Sequence, residues 1–202
     1  LVSAGKPEKI DNLALQAAGG HVYAALSRLK VKDVALAVDA AQGRKSKDNE
    51  APAALIAYGA LLRSYRFDKY RTKLKAEDKP QLTALTLHTK EAATAKKAFA
   101  PMEAVAKAVS FTRDLVSEPP NVLYPESYAD ACKALKELGV KVTVLDYSAI
   151  KKQKMGALIG VAQGSIREPR VVALEWNGDP KAKDKAPLAL LGKGVTFDTG
   201  GI

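Results

Sequence analysis

The run Gly192-Lys193-Gly194-Val195-Thr196-Phe197-Asp198-Thr199-Gly200-Gly201 sets an amine and a carboxylate between four glycines. It directly follows the apolar stretch Leu188 to Leu191. Glycines at such a place let backbone and side chains approach a small ligand closely. Carboxylate oxygens such as those of Asp198 suit divalent cations and can bridge two of them. A lysine ligates a metal only as the neutral amine, so the pKa of Lys193 must fall far below ~10.4. A nearby dication and desolvation both favour that loss of the proton. Lys193 and Asp198 are the candidate metal ligands, although on spacing alone the simpler reading is a surface ion pair after a strand. A phosphate-binding P-loop is excluded, because Lys193 is followed by Gly194 and not by Ser or Thr.

Other chemistry-bearing residues are scattered. His21 and His88 lie far apart and read as packing or surface histidines. Cys132 falls on an amphipathic stretch with no histidine nearby, which makes it a small apolar residue and not a nucleophile. Tyr65, Phe67 and Tyr70 stand among Arg63, Arg66, Lys69 and Arg71. Such a cluster could stack on bases while its cations meet phosphates. The simpler reading is a set of aromatics anchoring a helix end.

The elements that must position these residues alternate helix and strand, which argues an α/β architecture. Asp11 to Leu29 reads as a helix, with apolar Leu13, Ala17, Val22, Ala25, Leu26 and Leu29 close to helical spacing, weakened by Gly19-Gly20. Asp33 to Val38 reads as a strand and Gln42 to Asn49 as a loop. A second helix opens at Pro52 with Asn49 as its cap, carrying Leu55, Ile56, Gly59, Leu62 and Tyr65 inward. Arg71 to Pro80 is a charged loop and Leu82 to His88 a strand. A long helix follows from Glu91 to Val116, which Pro101 could break. Pro125 starts a helix that Gly139 stops after Leu138. Val140, Val142 and Val144 alternate as a strand, and Ser148 to Lys154 is a short helix. Ala157 to Val161, Val171 to Trp176 and Leu188 to Leu191 read as three further strands.

Several of these segments carry a resemblance. Arg113-Asp114-Leu115-Val116-Ser117-Glu118-Pro119-Pro120-Asn121 with Pro125-Glu126 is similar to the opening of the catalytic domain in the leucyl (cytosol) aminopeptidases. Met155 to Ser165, Pro169-Arg170, Leu174-Glu175-Trp176 and the run Gly192 to Gly201 resemble that family's later signatures, in order. Tyr65 to Tyr70 resembles a segment of its N-terminal domain. The likeness is strong from about residue 105 onward and thinner before.

The resemblance implies a macro-domain-like α/β domain over 1–92, a linker helix over 93–118, and over 119–202 the first part of a mixed-sheet metallo-exopeptidase domain. It implies a homohexameric aminopeptidase that releases residues such as leucine from peptides with a free N-terminus. Two divalent metal ions per subunit, zinc, manganese or magnesium, would activate water and polarise the scissile carbonyl. By position Lys193 would ligate one metal and Asp198 would bridge both. Thr199 stands where the family commonly has serine, which keeps the hydroxyl. The family's catalytic lysine, catalytic arginine and three further acidic ligands fall beyond Ile202. A chain of these residues alone is expected to be inactive, a piece of a longer protein at both ends.

Composition bounds the alternatives. The 202 residues are 47% hydrophobic and 27% charged, close to an ordinary globular chain. No apolar stretch approaches the ~20 residues that cross a bilayer, so no membrane partner is expected. A single cysteine, Cys132, suits a reducing, cytoplasmic setting. The net charge of +10 is uneven: residues 1–100 hold 18 Lys+Arg and 10 Asp+Glu, whereas residues 101–202 hold 14 and 12. A basic first half could contact nucleic acid, chiefly through the cations between residues 63 and 79. That is the alternative to the enzyme reading.

Overall fold

The computed structural model describes residues 6, 10–38, 51–183 and 186–196. The chain is α/β and divides into two compact units, 1–114 and 115–202, the boundary falling in the last turn of a long helix.

In the first unit, helix α1 spans Asn12–Leu26. Asp11 caps it, its Oδ1 accepting from the Ala14 N–H at 2.7 Å, which satisfies one of the otherwise unpaired first-turn amides. The buried stripe is Leu15, Ala18, Gly19 and Val22. Of the apolar residues at helical spacing Val22 is buried, whereas Leu13 is 71% exposed and Leu29, past the end of the helix, is also exposed. The reason is the partner. Helix α2, Pro52–Ser64, buries Leu55, Ile56, Gly59 and Ala60, and it crosses α1 where both helices carry glycine. A Cβ at Gly19 would overlap the Ile56 carbonyl, and one at Gly59 would overlap the Gln16 carbonyl. Gly19 thus interrupts no helix; it lets two backbones meet. The expected cap Asn49 and the loop from Gln42 lie outside the described residues, and the N-cap position of α2 is Ala51, without a side-chain bond.

Strands β1, Asp33–Ala37, and β2, Ala84–His88, pair in parallel. Their register sets Val34 beside Leu85 and Leu36 beside Leu87, so the inward positions of the two strands are in phase. Leu36, Val38 and Leu87 pack on the buried cluster Leu15, Leu55 and Ile56. Burying a leucine such as Leu55 fully stabilises by about 1.5–3 kcal/mol. Helix α3, Ala92–Ser117, continues unbroken through Pro101; its Met102 packs on this cluster, and its Ala95 and Phe99 pack with Ala51, Ala53 and Ala54.

In the second unit, helix α4 spans Pro125–Lys133 and tightens into a 3-10 turn over Ala134–Leu138. Gly139, at φ 83°, ends it in the left-handed region that favours glycine. Strand β3, Lys141–Leu145, pairs antiparallel with β4, Val171–Glu175. Helix α5, Tyr147–Lys152, lies between them in sequence, capped by Asp146 through the Ala149 N–H at 2.8 Å.

Two expected strands are corrected. Residues 156–162 form helix α6, Gly156–Ala162. Its half-buried side chains Leu158, Ile159 and Ala162 recur at helical and not at alternating spacing. Residues 188–191 form no strand, and Leu188, Leu190 and Leu191 are 88%, 89% and 94% exposed. An apolar run becomes a strand only where another strand takes its backbone groups, and among the described residues none pairs with this one.

Candidate functional site

The segment from Leu191 to Thr196 carries no regular hydrogen-bonding pattern. It turns tightly at the lysine, where the Val195 N–H donates to the Lys193 carbonyl at 3.0 Å. Lys193 itself is exposed. Gly194 rests on a ring: a Cβ there would fall 2.7 Å from Tyr128 Cε1 and 3.2 Å from Cδ1. Asp198, with Thr199 and the closing glycines, lies outside the described residues.

Tyr128 comes from α4, and the sequence explains why this helix is well placed. Pro125 occupies its first turn, where the missing N–H is no loss. Ser127 Oγ accepts from the Tyr124 N–H at 3.0 Å and lies 2.7 Å from the Val122 carbonyl, to which it donates. Ala129 and Cys132 bury the opposite side. The same helix start holds the approach to β4. The Arg167 guanidinium stacks on the Tyr124 ring at 3.9 Å from its centroid. Arg170, only 14% exposed, pairs with Glu168 at 3.2 Å and reaches Glu126 at 4.0 Å. It also donates to the Pro169 carbonyl at 2.9 Å. Two segments that stood apart in the sequence, Pro169-Arg170 and the lysine loop, therefore converge on α4, whose first turn is Pro125-Glu126. The part of Tyr128 was not visible from spacing, since nothing in the sequence joins an aromatic on a helix to a distant glycine.

The remaining candidates stay separate. His21 and His88 are both exposed, on α1 and β2. Cys132 is buried, and burial pushes its thiol above the ordinary pKa. That is the reverse of what a nucleophile needs. Tyr65 donates to Asp114 Oδ1 at 2.9 Å and lies under the Arg113 guanidinium at 4.0 Å. Phe67 meets Tyr70 edge-on at 5.8 Å, and Arg66 pairs with Asp68 at 2.7 Å. Tyr65 does anchor the end of α2, here onto α3.

No three His, Cys, Asp or Glu side chains come together among the described residues. Lys193 is the sole candidate ligand with a described place. A lone exposed amine is not a donor set for two dications, so the described residues do not by themselves compose a metal centre.

Residues 1–74 match the model of the cytosol aminopeptidase family N-terminal domain, and residues 110–202 match that of its catalytic domain. The chain belongs to the cytosol aminopeptidase family. A probable cytosol aminopeptidase of Wolbachia pipientis wMel is 41% identical over 205 residues, covering 100% of this chain and 38% of that protein. One from Methylorubrum extorquens is 55% identical over 144 residues, covering 71% of this chain and 29% of that protein. Among solved structures, a mutant tomato leucine aminopeptidase superposes with a TM-score of 0.76 at 28% identity. It covers 93% of this chain and 38% of that one. The bottromycin maturation enzyme BotP in complex with Mn gives a TM-score of 0.73 at 26% identity, covering 87% of this chain and 36% of that one. This cytosol aminopeptidase chain thus matches between about three tenths and two fifths of the length of these relatives. No helix among its described residues is long and apolar enough to cross a membrane.

Proposed function

We propose that the protein to which this chain belongs is a metal-dependent aminopeptidase that releases N-terminal residues such as leucine from peptides. The observation that carries the reading is the succession of both family domains along one chain, in family order. Lys193 and Asp198 are proposed as two of its metal ligands. Their residue types suit that task, and the tight turn at Lys193 puts the amine at the surface of the loop. Two divalent ions, zinc, manganese or magnesium, would supply the activated water. The manganese in BotP supports a divalent ion of that kind. A cytoplasmic homohexamer is proposed by the same family resemblance.

The test uses the whole protein with leucyl p-nitroanilide and its N-acetylated counterpart. Release from the free amine alone is expected, and Asp198→Ala or Lys193→Met should abolish it. Wild-type turnover by either variant would remove that residue from the site. The nucleic-acid alternative rests on the positive charge of residues 1–100, while Tyr65 and Arg66 of its proposed surface are engaged within the fold. Binding that weakened steeply between low and physiological salt would favour it; a flat salt response would exclude it.

A further inference from the structure

We propose that Tyr128 is the positioning residue of the lysine loop, the ring that holds the backbone at Lys193 in place. Three observations carry this. Gly194 leaves no room for a Cβ against Tyr128 Cε1 and Cδ1, at 2.7 and 3.2 Å, so the loop lies on the ring. Among the described residues, Leu191 to Val195 are all exposed, and the Val195 N–H closes the turn onto the Lys193 carbonyl. Tyr128, by contrast, is half-buried on a helix tied down through Ser127, Ala129 and Cys132. Gly194 does not have a positive φ, since Gly139 is the positive-φ glycine among the described residues. Its lack of a side chain therefore answers to the ring and not to backbone strain. A packed helix holding an exposed loop through one ring is how an outer group orients a working side chain.

The first arm of the test is hydrogen exchange on the whole protein, followed peptide by peptide. Tyr128→Ala is expected to speed exchange in the peptide covering 192–196 by about tenfold or more while β3 and β4 keep their rates. Tyr128→Phe, which keeps the ring, should match the wild type. Unchanged exchange at 192–196, or equal acceleration throughout the second unit, would overturn the proposal. Gly194→Ala adds a check on the contact itself. It should loosen 192–196 with Tyr128 present and do almost nothing in the Tyr128→Ala background. Additive effects would refute the contact.

The second arm rests on the aminopeptidase reading. Tyr128→Ala should lower kcat about 10–100-fold with KM little changed, and Tyr128→Phe should restore it. Wild-type kcat in Tyr128→Ala would overturn the positioning role. An inactive wild type would instead count against the aminopeptidase reading, and the exchange arm would decide the role of Tyr128 unaided.

Discussion

The thiol of Cys132 shows how burial decides chemistry at a single residue. It lies on the inward side of α4 beside Ala129, and desolvation raises its pKa. Charging it inside the fold is disfavoured, so the neutral form dominates to higher pH than in an open chain. The sign of the pH effect follows. Below the ordinary thiol pKa both folded and unfolded states hold the proton, and the group is neutral to stability. Above it the unfolded chain releases the proton first, so folding stability falls as pH rises toward the raised value. Alkylation of native protein with iodoacetamide at pH 8 should be much slower than in denaturant, and Cys132→Ser should remove most of it. Rapid native labelling at Cys132 would contradict the burial. The same scale limits what residue types alone reveal about the site. Lys193 and Asp198 stand out because an amine and a carboxylate between glycines suggest metal chemistry. Tyr128 does not, because its part depends on a contact and not on its own reactivity.

At the scale of elements, the crossing of α1 and α2 is the feature most open to a decisive change. Replacing Gly19 or Gly59 with alanine improves intrinsic helix propensity by about 1 kcal/mol. Against that, each added methyl meets a backbone carbonyl, of Ile56 or Gln16, that cannot rotate away. Overpacking of this kind costs about 1–3 kcal/mol, and both helices must part to relieve it. Gly19→Ala and Gly59→Ala should each lower the denaturant midpoint of the first unit, whereas Gly20→Ala, with nothing nearer than 3.7 Å, should not. Equal midpoints for all three would show that the helices do not meet there. This crossing also explains what was readable. The starts of α1 and α4 were legible because Asp11 and Pro125 act locally, as was the stop at Gly139, whereas α1 ends at Leu26 and not at Leu29. The buried face of α1 was not, because it is chosen by the glycine of another helix. Helix α6 was misread for a related reason: a run as short as Ala157 to Val161 carries too few residues for its period to show.

At the scale of the whole molecule, the proposed activity makes a prediction through its metals. Prolonged dialysis of the whole protein against a chelator should abolish peptide release, and a divalent metal salt should restore it. Activity that survived full removal of metal would exclude the two-metal reading.

The exposed apolar side chains of the second unit support a separate prediction about residues 1–202 as an isolated polypeptide. Leu188, Leu190, Leu191 and Val195 stand out on one short segment, with Trp176 and Ile166 exposed elsewhere in the unit. Each leucine forgoes about 1.5–3 kcal/mol that burial would contribute, and contiguous apolar surface of this kind drives association. A net charge of +10 opposes it, but charge repulsion between molecules is screened beyond about 8 Å at physiological ionic strength. Apolar contact acts at van der Waals range and is not screened. The polypeptide is therefore expected to stay dispersed in low salt and to associate as salt is raised, with a matching rise in fluorescence of a hydrophobic dye. Light scattering across a salt series checks the order of these effects. Changing Leu188, Leu190 and Leu191 to serine should flatten both curves. If the triple variant associates as readily as the parent chain, the apolar segment is not what draws the copies together.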